Sequence, residues 1–146
     1  MYTEYQPSHL LVPYIDNYWE FKGNPDYGMR IHILPDGCTD FIFTLGEVAN
    51  AVEEGSLIMQ PYRSYFVGPM TKYSELVTYT ESIHMFGVRF LPCGLSCFTN
   101  LPLHEFVNSR VSTNEMKAVF DDTFIEKLGE QKHVTDRIRV VEEYLL

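Results

Sequence analysis

Apolar and polar side chains alternate along residues 29–34 and again along residues 40–45, and a period of two predicts a β-strand in each segment. Residues 35–37 between them read Pro-Asp-Gly, a turn sequence in which Pro presets φ, Asp bonds its own backbone and Gly accepts a positive φ. We therefore predict a β-hairpin or a tight β-corner at residues 31–45, with the rest of the chain packed around it.

Further short segments show the same alternation or a continuous apolar run, and turns that contain Gly or Pro separate them. They predict strands at residues 16–22, 56–60, 64–67, 73–80 and 83–91. About seven short strands at spacings near ten residues are typical of an all-β barrel or sandwich rather than of βαβ units. In this interpretation residues 1–13 form an irregular lead-in and residues 46–55 form a connection.

The pattern changes from a period of two to helical spacing at Pro92. Residues 92–98 predict a short helix with Pro92 near its first position, and residues 102–106 predict one more turn. Residues 112–115 (Ser-Thr-Asn-Glu) have capping-box spacing before an apolar helical stripe that ends at Gly129. The stripe contains Met116, Val119, Phe120, Phe124 and Leu128.

A last helix is predicted at residues 133–146, with one apolar face and a mainly charged outer face. The apolar face carries Ile138, Val141 and Leu145, and the outer residues are Arg137, Arg139, Glu142 and Glu143. This helix either docks on the body as an ordinary terminal helix or leads into a further region. We predict one domain, residues 1–146, with a β-rich body at about residues 1–91 and a helical part at about residues 92–146.

Composition and charge restrict the class of protein. The 146 residues are 45% hydrophobic, no apolar run reaches membrane-spanning length, and the N-terminus shows no signal peptide, so we predict a globular cytoplasmic protein. The net charge of −9, without a basic stripe, disfavours nucleic-acid binding by these residues. The three cysteines fit small buried residues in a reducing compartment better than a thiol sensor or a metal site.

Residue spacings give little support to an enzyme. No two of the five histidines have the i, i+2 spacing that places two imidazoles on one strand face, and a site of His32, His84 and Glu75 is the least favoured alternative. Each histidine is better explained as partly buried and hydrogen-bonded. Asp36 is better explained as closing the turn beside Asp40 than as a general acid. We therefore predict no catalytic residue, no metal and no cofactor.

One arginine on a predicted strand is a candidate for binding an anion. Arg89 shares its strand face with Met85 and Gly87, which leaves space, and a guanidinium there can clamp an anionic group. The alternative is that Arg89 is exposed or pairs with a structural aspartate. A barrel with alternating inward residues holds one small ligand, and the candidate ligand-binding residues are Trp19, His32, Phe41, Phe43, Phe86 and Arg89.

Three segments occur in an order that resembles a known family. They are Tyr18-Trp19 after an N-terminal Pro and Leu segment, residues 33–43 (I-L-P-D-G-C-T-D-F-I-F), and residues 66–71 (F-V-G-P-M-T) followed by residues 86–95 (F-G-V-R-F-L-P-C-G-L). This order resembles the N-terminal domain of a group of AraC-type bacterial transcription regulators, over about residues 7–146. The sequence departs from that pattern at residues 92–94 (Pro-Cys-Gly), where small residues are expected to follow Pro more directly.

The resemblance implies a cupin-like β-barrel, a double-stranded β-helix, followed by helices. It implies a regulatory domain that binds a small-molecule effector and, in part of the family, forms a homodimer through its C-terminal helices. DNA is then bound only through a helix-turn-helix region, which is absent from these 146 residues. Two alternatives stay open: a metal-free cupin-like enzyme acting as an isomerase or lyase, and a module that only dimerises.

Overall fold

The computed structural model describes residues 2–23, 30–33, 38–45, 49–51, 58–59, 63–67, 74–78, 83–92, 94–98, 110–112 and 120–146. Ten β-strands lie within these ranges: β1 (Tyr2–Tyr5), β2 (Ile15–Gly23), β3 (Arg30–Ile33), β4 (Thr39–Thr44), β5 (Ala49–Ala51), β6 (Ile58–Met59), β7 (Ser64–Val67), β8 (Ser74–Thr78), β9 (Ile83–Phe90) and β10 (Arg110–Ser112). A 3-10 turn (Leu95–Cys97) lies between β9 and β10, and two helices, α1 (Asp122–Gly129) and α2 (Val134–Leu145), follow β10.

The strands form two sheets. The larger sheet has six strands in the order β1-β2-β9-β4-β7-β10, and the smaller has four in the order β3-β8-β5-β6. The strand pairs in both sheets are antiparallel. The prediction of a mainly β fold with C-terminal helices is therefore confirmed for the described part of the chain.

The two strands predicted as a hairpin belong to different sheets. Arg30–Ile33 (β3) pairs with β8, whereas Thr39–Thr44 (β4) pairs with β7 and β9. The hairpin prediction is wrong because these neighbouring segments pair with strands distant in sequence rather than with each other. The alternative, a corner that directs successive strands into different sheets, agrees with this topology. Residues 35–37, the predicted turn, lie outside the described residues.

Of the ten described strands, the sequence pattern identified seven and missed three. The missed strands are β1 in the predicted lead-in, β5 in the predicted connection and β10 in the part of the chain predicted to be helical. Strand β1 has three exposed residues and one half-buried residue, so it lacks the apolar and polar contrast that reveals a period of two. Strands β5 and β10 have three residues each, which is too short to establish any period.

The main core lies between one face of the six-stranded sheet and the two helices. Its members are buried and largely aromatic or aliphatic. Strands β2, β4, β7 and β9 contribute Tyr18, Phe41, Phe43, Phe66, Phe86, Val88 and Phe90, and the helices contribute Phe124, Leu128, Val140 and Val141. Complete burial of a large apolar side chain stabilises the fold by about 1.5–3 kcal/mol. The helices are therefore held on the sheet by a continuous apolar layer.

The opposite face of the same strands is also buried, but it is more polar. Because side chains alternate along a strand, this face carries Trp19, Asp40, Ile42, Tyr65 and Met85. These residues are separate from the core cluster that includes the helices. Strand β2 also contains an irregularity in its pairing with β9, between residues 15 and 17. One sheet thus has an apolar face under the helices and a mixed aromatic and polar face opposite them.

Helix α1 begins later than predicted. Its N-cap is Asp121, whose side chain accepts a hydrogen bond from the Phe124 N–H at 2.9 Å. Ser112 is the last residue of strand β10, and the rest of the predicted capping box, residues 113–115, lies outside the described residues. Phe120, predicted on the helical stripe, has a left-handed backbone with a φ of 58°, and its N–H donates to the Tyr144 hydroxyl at 2.9 Å.

Helix α2 matches the predicted last helix, and α1 ends at Gly129 as predicted. The prediction that Arg137 lies on the outer face is wrong, because this residue is 4% exposed and shares its helix face with the buried Val140 and Val141. A helical period alone assigns a charged residue to the solvent side. The buried guanidinium of Arg137 has polar partners: Nη1 lies 3.5 Å from Glu20 Oε2 on β2, and Nη2 donates to the Gln131 carbonyl oxygen at 3.0 Å.

The remaining structural predictions concern a short helix, the cysteines and membrane insertion. The helix predicted at residues 92–98 is the 3-10 turn Leu95–Cys97, and residues 102–106 lie outside the described residues. Cys38 is buried and Cys97 is exposed, and neither forms a disulfide with a described residue; Cys93 is also outside the described ranges. No helix in the described ranges combines the length and the apolar character needed to cross a bilayer.

Candidate functional site

Three of the six predicted ligand-binding residues lie in the hydrophobic core. Phe41, Phe43 and Phe86 are at most 1% exposed and belong to the cluster that packs against the helices. Phe43 and Phe86 are register partners on β4 and β9, and the ring centroid of Phe41 is 4.5 Å from that of Phe120. The structure therefore gives these three rings a packing role under the helices.

Trp19 and Arg89, two others of the six, converge on the opposite face at a carboxylate that was not predicted as part of the site. Asp40 Oδ1 accepts a hydrogen bond from Trp19 Nε1 at 3.3 Å and another from Arg89 Nε at 3.2 Å. Asp40 and Arg89 are register partners on β4 and β9, so their side chains lie on the same face. Of the two interpretations of Arg89, the structure shows the ion pair with an aspartate.

Gly87 provides the space that the Trp19 indole occupies. It is the register partner of Trp19 on β9, and a Cβ atom added at Gly87 would overlap Cε2, Cζ2 and Nε1 of the indole. The indole therefore extends across β9 and brings its N–H to Asp40 on the next strand of the sheet. The space expected beside Arg89 is filled by this ring.

Tyr2 on the edge strand β1 lies beside the same residues. Its ring centroid is 5.9 Å from that of Trp19, and its hydroxyl donates to Glu4 Oε2 at 3.0 Å. Burial and the hydrogen bond to Glu4 raise the pKa of Tyr2 to about 12, while the charge of Arg89 opposes this shift. We call Tyr2, Trp19, Asp40 and Arg89 the Asp40 cluster.

A buried acceptor lies next to the Asp40 cluster. Asn17 is 3% exposed and is the register partner of Arg89, so both side chains lie on the same face. Asn17 Nδ2 donates to Asp16 Oδ2 at 2.7 Å, which assigns the orientation of the amide. Its Oδ1 atom receives no hydrogen bond from the described part of the chain. An unpaired buried acceptor costs about 1–3 kcal/mol, so a donor that reaches it is favourable.

The two side chains of the Asp40–Arg89 pair differ in their exposure to solvent. The Arg89 side chain is 27% exposed and that of Asp40 is 9% exposed. A guanidinium near the surface supplies donors, the carboxylate behind it supplies an acceptor, and the Tyr2 and Trp19 rings supply aromatic surface. Such a combination is suited to holding a small molecule with one polar end and one planar or apolar part.

The histidines considered for a metal site lie in different sheets. The backbone of His32 on β3 pairs with Glu75 on β8, and the His32 side chain lies outside the described part of the structure. His84 on β9 is partly buried, with Nε2 2.9 Å from Glu20 Oε2, which confirms the prediction of a hydrogen-bonded histidine at this position. Among the described residues, no three His, Cys, Asp or Glu side chains form a group that can hold a metal ion.

On the helix side of the sheet, two residues of β2 make polar contacts to α2. Glu20 Oε2 is 3.5 Å from Arg137 Nη1. Glu142 Oε2 accepts hydrogen bonds from the Tyr18 hydroxyl at 3.0 Å and from the Ser8 N–H at 2.8 Å. The helical pattern assigned both α2 residues to the outer face, and only the tertiary pairing with β2 reveals their role.

The buried phenol of Tyr18 predicts a loss of stability at alkaline pH. Burial raises the pKa of Tyr18 well above its ordinary value of 10.0, and the Glu142 carboxylate raises it further. The contribution of Tyr18 is complete below pH 10 and is lost as the pH rises above it, because the unfolded chain then releases a proton that the folded chain keeps. We expect a slope of up to about 1.4 kcal/mol per pH unit, measured by urea denaturation. The Tyr18→Phe variant should show a shallower slope, and an unchanged slope contradicts the assignment.

Replacing Asp40 with asparagine removes the charge that holds Trp19 and Arg89. We expect the free energy of unfolding to fall by about 2 kcal/mol, because hydrogen bonds to charged groups are worth about 1.5–3 kcal/mol. Urea denaturation followed by circular dichroism measures this loss. The control is Asp136→Asn, which removes an ion pair whose Arg139 side chain is 70% exposed, and it should change stability by less than about 1 kcal/mol. Equal effects of the two substitutions would show that the Asp40 cluster is not a stabilising unit.

Comparison with known proteins defines the family of the chain. Residues 3–112, which run from the second residue of β1 to the end of β10, match the family described as "Domain of unknown function (DUF6597)", so the chain belongs to that family. No curated protein matches the chain significantly. Among solved structures, the Cupin_2 domain of an XRE-family transcriptional regulator from Enterobacter cloacae is similar at 10% identity and a TM-score of 0.49, over 63% of this chain and 96% of that one.

Proposed function

We propose that this chain is a regulatory domain that binds a small-molecule effector at the Asp40 cluster. The observation that carries the proposal is the meeting of Trp19 and Arg89, from two different strands, at the buried Asp40 carboxylate on the sheet face opposite the helices. Aromatic surface next to an ion pair on a rigid sheet is a common construction of small-ligand sites.

The class of regulator follows from the order of sequence segments. Tyr18-Trp19, residues 33–43, and residues 66–71 followed by 86–95 resemble the N-terminal domain of AraC-type transcription regulators. In this proposal the chain has the cupin-like arrangement of that group and forms a homodimer through its C-terminal helices. A net charge of −9 opposes direct binding to a phosphate backbone, so a separate helix-turn-helix region binds DNA.

The ligand chemistry follows from the groups on this face. Arg89 donates hydrogen bonds, Asp40 accepts them, and the Asn17 Oδ1 atom is a further acceptor beside them. The effector then carries an anionic or acceptor group for Arg89, an N–H or O–H donor, and a planar or apolar part for the Trp19 ring. The proposal is binding without catalysis, and an effector acts by favouring one arrangement of the domain over another.

A fluorescence titration tests effector binding directly, because Trp19 is the single tryptophan of the chain. Metabolites that contain carboxylate, hydroxyl and aromatic groups are screened for a change in Trp19 emission and for a rise in melting temperature. A ligand at 100 times its Kd stabilises the folded state by about 2.7 kcal/mol. Arg89→Gln should weaken the binding of a hit, whereas Arg139→Gln, at an exposed position of α2, should not. A broad panel without any response contradicts effector binding.

A mobility-shift assay tests whether this chain binds duplex DNA by itself or leaves DNA binding to a separate region. We expect no complex between the 146-residue chain and duplex DNA at physiological salt, since the acidic surface repels phosphate. A tight, salt-dependent complex formed by this chain alone would overturn the assignment of DNA binding to a separate region.

A further inference from the structure

Helix α2 is attached to the sheet by charged and polar contacts in addition to its apolar face. The Arg137 side chain is 5% exposed, and its Nη1 atom lies 3.5 Å from Glu20 Oε2. One turn further along the helix, the Glu142 carboxylate accepts the Tyr18 hydroxyl hydrogen bond at 3.0 Å. Both partners of α2 in these contacts belong to strand β2.

The two β2 residues that contact α2 are the immediate neighbours of Trp19. Because side chains alternate along a strand, Tyr18 and Glu20 lie on the helix face while Trp19 lies on the opposite face. Trp19 reaches Asp40 there with its Nε1 atom. Three consecutive residues of β2 therefore connect the Asp40 cluster on one face with α2 on the other.

In this segment of β2, the side chains on one face cannot shift the backbone without moving the side chains on the other face. The Trp19 ring fills the space over Gly87, and β2 is paired with β9 from residue 17 to residue 23. Packed interiors have few voids and transmit displacements to their neighbours. A movement of Trp19 that shifts the β2 backbone must change the position of Glu20 relative to Arg137 and of Tyr18 relative to Glu142.

We propose that α2 is the output element of the Asp40 cluster. An effector that draws the Trp19 indole away from Asp40 shifts residues 18–20. This shift weakens the contacts that Glu20 and Tyr18 make with α2. This inference rests on the proposed ligand-binding function of the cluster. Coupling between two sites is reciprocal, so a change made at α2 must also alter the surroundings of Trp19.

Reciprocity gives a test that needs no ligand. Arg137→Met is compared with Arg139→Met in the full chain, because both remove an arginine from α2 and only Arg137 contacts Glu20. We expect Arg137→Met to shift the Trp19 emission maximum and to increase acrylamide quenching about twofold, while Arg139→Met leaves both unchanged. Amide hydrogen exchange should also accelerate about tenfold in α2 relative to α1, within the usual range of coupling between sites.

The outcome against the proposal is equally specific. A folded Arg137→Met protein with unchanged Trp19 emission and quenching overturns the coupling, whatever happens to the stability of α2. Where Arg137→Met does not fold, Glu142→Gln is measured instead, since it keeps the size of the side chain and weakens the contact to Tyr18. An unchanged Trp19 signal in that folded variant overturns the coupling in the same way.

The two proposals fail in different experiments. A metabolite screen without hits, together with an altered Trp19 signal in Arg137→Met, refutes effector binding and leaves the connection between α2 and the opposite sheet face in place. A confirmed ligand, together with an unaltered signal in Arg137→Met, refutes the output role of α2 and leaves effector binding in place.

Discussion

Replacing Phe41 with alanine is expected to lower the free energy of unfolding by about 3–5 kcal/mol, the usual cost of removing a buried phenylalanine ring. The Phe41 side chain is completely buried. Its ring centroid lies 5.8 Å from that of Phe66, 4.5 Å from Phe120 and 6.0 Å from Phe124. Removal of the ring leaves a cavity between the sheet and α1, because neighbouring rings cannot all collapse into it. Urea denaturation followed by circular dichroism measures the loss.

The control for this substitution is Leu10→Ala at a position that is 65% exposed, where we expect a change of less than about 0.5 kcal/mol. The result also separates the two roles considered for Phe41. A ligand-binding wall that is not part of the core tolerates truncation, so a Phe41→Ala protein with native stability would contradict the core assignment.

Replacing Gly87 with alanine is expected to lower the free energy of unfolding by about 3 kcal/mol and to change the Trp19 emission spectrum. The added methyl group would overlap the Trp19 indole, which is 8% exposed and bonded to Asp40. Because the ring is packed, it cannot move without losing contacts or distorting β2, and overpacking of this kind costs about 1–3 kcal/mol. Chemical denaturation and fluorescence spectroscopy measure the two effects on the same sample.

The matched control is Gly129→Ala at the end of α1. The nearest atom to an added Cβ there is Phe43 Cζ at 3.4 Å, and alanine favours a helix by up to about 1 kcal/mol over glycine, so we expect no loss of stability. Adding Trp19→Leu to Gly87→Ala should recover part of the loss, because the two sites share one contact. Full additivity of the two substitutions would show that the indole does not confine residue 87.

The strands could be predicted from the sequence where burial imposes a clear period. Residues 16–22 and 83–91 have alternating large side chains, and the structure forms β2 and β9 there. The connection at residues 35–37 could not be predicted in the same way, because the same turn chemistry serves a hairpin and a corner. The choice depends on β3 pairing with β8, a strand about forty residues later, and local sequence carries no information on such pairing.

The candidate site could be predicted only in part. Trp19 and Arg89 were identified by their residue types, but Asp40 was assigned a place beside a turn. Its role depends on the register of β4 against β9, which places Asp40 directly across from Arg89. Phe41 and Phe86 were assigned to the site because an aromatic ring suits a ligand wall and a core equally well. The position of the helices on one sheet face decides between these roles, and no residue pattern specifies that position.

Arg137 shows that sequence patterns are limited in the same way for helices. Helical periodicity separates an apolar face from a charged face, and it assigned this arginine to the charged face. In the buried position, Arg137 faces the carboxylate of Glu20, a residue of β2 near the other end of the chain. With an apolar side chain in place of Glu20, burial of the arginine charge would be costly. Polar groups that pair across a core are therefore the features that sequence patterns identify least well.

The lengths of the outermost strands influence how the protein associates at high concentration. Among the described strands, β1 and β10 border the larger sheet with four and three residues, and β3 and β6 border the smaller sheet with four and two. Short borders present few unpaired backbone groups as templates for lateral growth of a sheet into fibrils. The described border strands therefore disfavour amyloid-like stacking through their backbones.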